Sequence, residues 1–248
     1  MKISIITVCY NSETTIRDTL ESIKHQEYTN IEYIIIDGGS KDNTLKILYE
    51  YRGIINVLVS EQDNGLYDAM NKGIKLATGD IIGFINSDDF FSDPNALEKV
   101  TQIFKKNRNL ESVYADLFYV SQHDTNKIVR RWVTGNQRKF KYGWHPAHPT
   151  FYIKKSVYDR YGLFDLSFNL ASDFEIMLRF LDKEKISTAY LKEPLVKMRL
   201  GGETNKNFKN IYRQNIECVR AFKKNDLKVI KFLYPFFRII PKFFQFNK

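Results

Sequence analysis

The strongest constraint on the fold is an alternation in the first hundred residues. Four short runs, 3–8, 31–36, 54–59 and 81–85, are almost wholly apolar and rich in β-branched residues. Between them apolar residues return every three or four positions: Ile16, Leu20 and Ile23, then Leu45, Leu48 and Tyr49, then Met70, Ile74 and Ala77. Runs without a polar face, alternating with one-sided helices, predict a parallel sheet covered by helices on both sides. The expected class is α/β, a Rossmann-like, mainly parallel sheet flanked by helices, with a helical extension at the C-terminus.

In such sheets ligands bind beyond the carboxyl ends of the strands. Four polar clusters fall there: Thr7 to Asn11, Asp37 to Ser40, Glu61 to Gly65, and Asn86-Ser87-Asp88-Asp89. The last is the most telling, because an apolar run delivers two adjacent carboxylates and the nearest bases in sequence are Lys75 and Lys99. Such a pair holds a hard cation or is neutralised locally, so Asp88 and Asp89 are read as metal ligands. The first turn lacks the glycines of a dinucleotide fingerprint. It offers Tyr10, which stacks on a base or merely packs, and Asn11, which hydrogen-bonds a ligand or caps the next helix. Asp37 accepts from a nucleobase N–H or caps the Gly38-Gly39 turn. Asp63 is a turn residue or a ligand. Lys72 reads as a solvated lysine.

Charge divides the chain. Residues 1–100 carry nine Lys/Arg against sixteen Asp/Glu, and residues 101–248 carry twenty-nine against thirteen. The split predicts a cation site in the first part and an anionic partner for the second. Two separated cysteines, Cys9 and Cys218, give neither a disulfide framework nor a zinc spacing. The N-terminus does not read as a signal peptide, and no run approaches the ~18 apolar residues of a spanning helix. A cytoplasmic location is expected.

In the second part, 112–120 and 127–133 read as strands, with Arg130-Arg131-Trp132 gripping an anionic acceptor or guarding a sheet edge. The loop Gly143-Trp144-His145-Pro146-Ala147-His148-Pro149-Thr150 is dense in polar aromatics and reads as a sugar-binding lip, with Trp144 and His148 as acceptor candidates. A helix over 173–181 opens on Asp173, which caps it or does chemistry. Residues 207–224 form a polar-faced helix. After Asp226 there is no acid. There Lys228, Lys231, Arg238 and Lys242 share one side of a Phe-rich helix that Pro235 and Pro241 kink or divide. Such a segment lies on an anionic membrane surface, packs on its own domain, or meets a second copy in a homodimer.

Taken in order, Ser4 to Asn11, Asp37 to Thr44, Glu61 to Gly73 and Asn86 to Asp89 resemble the motifs of the family 2 glycosyltransferases, which have the nucleotide-binding GT-A fold. The resemblance implies an NDP-sugar donor, a UDP-sugar in the first instance, a divalent cation (Mn2+ or Mg2+) and inversion at the anomeric carbon. It implies base contacts from Asp37 and Asp63, with Asp89 as the direct metal ligand. It places the catalytic base at Asp173, with Glu175 second. Met198-Arg199-Leu200-Gly201-Gly202 resembles a loop that closes over the donor, where Arg199 reaches a phosphate. Glu203-Thr204 depart from the family's usual serine after the glycine pair. Residues 1–205 form the GT-A domain, with a donor half to residue 100 and an acceptor half to 205, and 206–248 are the basic extension. The acceptor is expected to be lipid-linked or a polysaccharide. The alternatives are a sugar-phosphate nucleotidyltransferase, disfavoured because the first loop is not a basic glycine-rich one, and a nucleic-acid-binding protein, disfavoured by the acid cluster and the want of a binding motif.

Overall fold

The computed structural model describes residues 1–201 and 208–243. Glu203-Thr204 and the end of the basic extension, 244–248, lie outside the described residues. The order is β1 (Ile3–Cys9), α1 (Ile16–Lys24), β2 (Ile31–Asp37), α2 (Thr44–Glu50), β3 (Val57–Ser60), α3 (Leu66–Leu76) and β4 (Ile81–Phe84). There follow β5 (Phe90–Phe91), α4 (Ala96–Lys106), β6 (Ser112–Val120), β7 (Ile128–Trp132), β8 (Tyr152–Lys154), α5 (Lys155–Tyr161) and α6 (Ser172–Leu178). The described chain closes with β9 (Thr188–Arg199), α7 (Phe208–Lys224) and α8 (Tyr234–Phe243).

The strands join in one sheet of order β3-β2-β1-β4-β8-β6-β9-β5, with β7 on β6. The first four are mutually parallel, as their two-sided apolar runs require. Beyond β4 the sheet becomes mixed: β8 is antiparallel to both β4 and β6, whereas β9 runs parallel to β6. Two apolar layers cover it. Ile16, Leu20, Leu48, Leu97, Val100 and Phe104 from α1, α2 and α4 pack on one face. Met70, Ile74, Val157, Phe174, Met177 and Phe222 from α3, α5, α6 and α7 pack on the other.

Three elements depart from expectation. The third strand begins at Val57, because Ile54 and Ile55 close turns onto Tyr51 and Arg52. The helix from Ser172 is α-helical only to Leu178 and continues as a π-helical turn, Arg179–Lys183. The last helix begins at Tyr234 and not at 228; Pro235 sits in its first turn, where no N–H is needed. Strand β9 carries Pro194 within it, and the β6–β9 register shifts on either side of Asp116, opposite that proline, which cannot donate to a ladder.

Candidate active site

The chain order makes β1 the switch point, with β2 on one side and β4 on the other. A cleft of about 890 Å³ opens there, beyond the carboxyl ends of the parallel strands. Tyr10 and Asn11 line it after β1, Gly38 after β2, Asp63 after β3, and Asn86, Ser87 and Asp88 after β4. His148 and Asp173 close it from the second half. Six of the residues singled out in the sequence therefore share one cavity: Tyr10, Asn11, Asp63, Asp88, His148 and Asp173.

The first loop is held by its neighbour. Asn11 adopts a left-handed φ of 49°, accepts from the Lys41 N–H at 2.9 Å, and donates its own N–H to Ser40 Oγ at 2.8 Å. Its amide is thus engaged in joining two loops, while Tyr10 stands 60% exposed over the cleft. Gly38 is required by proximity: a Cβ there would meet Asp63 Oδ2 at 2.7 Å. Asp63 Oδ1 is buried with no hydrogen-bond partner. Burial raises the Asp63 pKa, and the Lys72 ammonium, 3.8 Å away, opposes that rise. Lys72 is no free lysine; it pairs with Glu61 at 2.8 Å and holds this acidic loop together.

The carboxylate pair is split. Asp88 lines the cleft, half-buried, whereas Asp89 is fully buried beneath it. Asn86 Nδ2 donates to Asp89 Oδ2 at 2.9 Å, and Asp89 Oδ1 has no partner. Burial and then the Asp88 charge push the Asp89 pKa well up. Asp88 faces the ligand space, and Asp89 lies beneath it. Among the described residues no cluster of three His, Cys, Asp or Glu could hold a metal alone. A hard cation takes about six oxygens. The residues present fit one that Asp88 would share with a ligand's diphosphate and water.

Asp173 lines the same cleft from the start of α6. The Tyr67 hydroxyl donates to Asp173 Oδ1 at 3.2 Å. Burial, then the Asp173 charge, raises the Tyr67 pKa far above its ordinary value, so Tyr67 stays a donor. Burial lowers the His148 pKa against the pull of Asp173, so the imidazole is neutral near pH 7 and forms no ion pair with that acid. Tyr67 was not singled out as a site residue; the signal was its place on the helix following Asp63-Asn64-Gly65.

Six other candidates lie off the cleft. Asp89 is treated above. Thr7 is buried in β1, accepting from the Tyr33 hydroxyl at 3.1 Å. Asp37 is buried and hydrogen-bonded: Oδ2 receives the N–H groups of Gly39 and Ser40 at 3.2 and 3.0 Å and Ser60 Oγ at 2.7 Å, while Oδ1 receives Ser40 Oγ. It caps the turn after β2. Trp144 packs edge-on against Tyr114 and Phe140 and donates to the Thr134 carbonyl at 2.8 Å. Glu175 is 2% exposed, bridged to Arg179 at 3.0 Å and to Asn225 at 3.0 Å. Two residues beyond Asp173, at about 100° each, it sits on the far side of the helix, in the core. Arg199 is buried too; it donates to the Asp88 carbonyl at 2.5 Å, pairs with Asp18 and lies over the Phe90 ring. It braces the Asp88 loop from behind.

Comparison with known proteins agrees with this geometry. The family model described as Glycosyl transferase family 2 matches residues 4–171. An uncharacterized glycosyltransferase of Mycobacterium tuberculosis is 31% identical over 179 residues, covering 71% of this chain and 68% of its own. A PGL/p-HBAD biosynthesis glycosyltransferase of Mycobacterium bovis is 26% identical over 192 residues, covering 76% and 73%. Among solved structures, S. aureus TarS 1-349 aligns with a TM-score of 0.69 at 20% identity, over 98% of this chain and 73% of that one. The Pyrobaculum calidifontis mannosyltransferase PcManGT, in complex with GDP-Man and Mn2+, aligns at 0.65 and 16% identity, over 95% and 68%. The structural likenesses establish the GT-A fold, and the match over most of the chain establishes the lineage: this is a glycosyltransferase of family 2.

Proposed function

We propose that the cleft binds an NDP-sugar, in the first instance a UDP-sugar, and transfers its sugar with inversion to a hydroxyl of a lipid-linked or polysaccharide acceptor. The observation that carries this reading is that Asp88 and Asp173, from separate halves of the chain, line one cavity. One acid serves the leaving diphosphate and the other the incoming hydroxyl. Asp63 Oδ1, an acceptor without a donor, is set to take an N–H from the nucleobase, and the exposed Tyr10 ring offers it a stacking face. Inversion needs one base. Asp173 takes the proton from the acceptor hydroxyl as that oxygen bonds to the anomeric carbon; the bond from that carbon to the diphosphate oxygen breaks, and the nucleoside diphosphate leaves. The Tyr67 hydroxyl holds Asp173 Oδ1 and leaves the other oxygen for the substrate. Asp88 would hold a Mn2+ or Mg2+ ion, which when bound would supply charge neutralisation at the diphosphate.

Support for the donor class comes from fold neighbours: TarS 1-349 is known in complex with UDP-GlcNAc, and PcManGT with GDP-Man and Mn2+. The relative named for PGL/p-HBAD biosynthesis supports an envelope-type acceptor. Among the described residues no helix is long and apolar enough to cross a membrane. The basic region 228–248 is read as the contact with an anionic membrane at the cytoplasmic face.

The test is a panel of NDP-sugars with and without Mn2+ or Mg2+, scored for binding and slow hydrolysis, with the wild type and Asp173→Asn compared on the donor that responds. Asp173→Asn should bind that donor with unchanged affinity and transfer its sugar ~10²–10⁴-fold more slowly. Unchanged transfer would exclude Asp173 as the base.

A further inference from the structure

A second cavity, of about 580 Å³, lies away from the donor cleft. It is walled by three segments distant in sequence, which contribute Arg138, Lys139, Lys141, Lys185 and Lys228. Its single acid is Asp182, which Lys139, Lys141 and Lys185 all face. Among the described residues none of the five bases is held in an ion pair, so the cavity keeps a net positive charge.

The chain next to this lining is apolar and open to solvent. Shortly after Lys228 come Ile230, 64% exposed, and Phe232, 87% exposed. Phe236 follows on α8, also exposed, and Tyr142, the neighbour of Lys141, is edge-on to Phe237. A cationic hollow with bare aromatic rings on the adjoining chain matches a bilayer interface, where phosphates lie a few ångströms above acyl chains. A free phosphate would have no use for the rings. The arrangement also revises the expected basic face: Arg238 is buried, donating to Gln214 and Asn215 at 3.0 and 3.2 Å, so it is no part of the surface.

We propose that this hollow is a headgroup site for the phosphate of an anionic membrane lipid, with Ile230, Phe232 and Phe236 entering the interface beside it. The proposal deepens the membrane reading above and moves its charge from the tail to Lys139, Lys141 and Lys185 on the body of the enzyme. The cavity lies at the far end of the helical stretch that begins at Asp173 and runs through Lys183. At ~1.5 Å per residue, lipid bound there would sit roughly 15 Å from the base, a span that fixes how the cleft faces the membrane.

The test is vesicle flotation of the full chain, with phosphatidylcholine vesicles and with vesicles also containing phosphatidylglycerol. The wild type should float only with the anionic vesicles. Lys139→Gln/Lys185→Gln/Lys228→Gln, all exposed positions, should weaken that binding about fivefold per charge removed, or about a hundredfold together. Phe232→Ser/Phe236→Ser should weaken it while leaving its salt dependence in place. Glycerol phosphate at matched ionic strength should not displace the protein. Wild-type binding by the triple lysine variant, equal flotation on neutral vesicles, or displacement by glycerol phosphate would each overturn the proposal. The assay contains neither donor nor acceptor, so its failure would leave the transferase reading intact.

Discussion

At the scale of single residues, the site shows how much neighbouring carboxylates can differ. Asp88 and Asp89 share a peptide bond, yet one faces the cleft and the other is sealed beneath it. Asp173 and Glu175 share a helix, yet one receives a tyrosine hydroxyl at the cleft and the other a buried guanidinium. Removing one member of a buried pair such as Glu175–Arg179 costs about 3–5 kcal/mol, so loss of activity in a Glu175 variant reports folding and says nothing of catalysis. The Asp88–Asp89 pair permits a cleaner contrast. Asp88→Asn keeps the shape of the loop and removes the charge that faces the diphosphate. It should abolish the gain in UDP-sugar affinity that Mn2+ confers, measured by calorimetry with and without the ion. Asp89→Asn replaces a buried carboxylate whose Oδ1 has no partner and should leave at least part of that gain. If Asp89→Asn alone abolishes it, Asp89 is the ligand and the roles assigned from burial are wrong.

At the scale of elements, the strands and helices of the donor half were legible because burial on both faces and on one face leave different periodicities. The mixed half of the sheet was not. Nothing local in Tyr152-Ile153-Lys154 says that it pairs antiparallel with β4, a choice made by chain sections far apart. The same limit applies to the site. Asp37 sits at a strand end like Asp63, and only the placing of Ser60, across the β2–β3 pair, shows that its Oδ2 is held by the fold. Arg199 comes from β9 to the back of the Asp88 loop, which no window around Asp88 contains. Helix α8 is likewise fixed by distant partners: Tyr234 is buried against Phe174 and Phe222, and Arg238 lies over Phe174, the neighbour of Asp173. Gly143 makes this docking possible. Its φ is 78°, and a Cβ there would meet the Phe237 carbonyl and, at 2.7 Å, the Arg238 nitrogen. Gly143→Val should therefore push α8 off, at a cost of about 1–3 kcal/mol and a Tm fall of ~2–12 °C. Because α8 backs the helix of the base, kcat should fall while donor KM holds. A variant with wild-type Tm and kcat would show that α8 does not steady α6.

At the scale of the molecule, the acids that make the first hundred residues negative are sorted by sheet edge. At the carboxyl edge Asp63 and Asp88 open on the cleft. At the opposite edge Glu32 is consumed by structure: it receives Lys2 Nζ at 2.6 Å, Ser4 Oγ at 2.5 Å, and the Thr78 N–H and hydroxyl at 2.7 and 2.6 Å. It thereby clamps β1, β2 and the turn before β4. Burial works against the Glu32 charge, but the Lys2 ammonium and the Ser4 and Thr78 hydrogen bonds prevail and bring its pKa from 4.5 to about 2. A folded-state pKa below the unfolded one means that the unfolded chain binds more protons in between. The stabilisation is thus complete above pH 4.5 and is lost as pH falls towards 2. At ~1.4 kcal/mol per unit it amounts to about 3 kcal/mol, a sizeable share of the ~5–15 kcal/mol that holds a domain folded. Denaturant midpoints of the wild type should accordingly drop between pH 4.5 and 2, and Glu32→Gln should be less stable at neutral pH with a flatter acid limb. The donor cleft lies at the other edge, so UDP-sugar binding by the folded variant at neutral pH should be unchanged. An acid limb as steep in Glu32→Gln as in the wild type would mean that other carboxylates set the acid stability and that the Glu32 clamp contributes little.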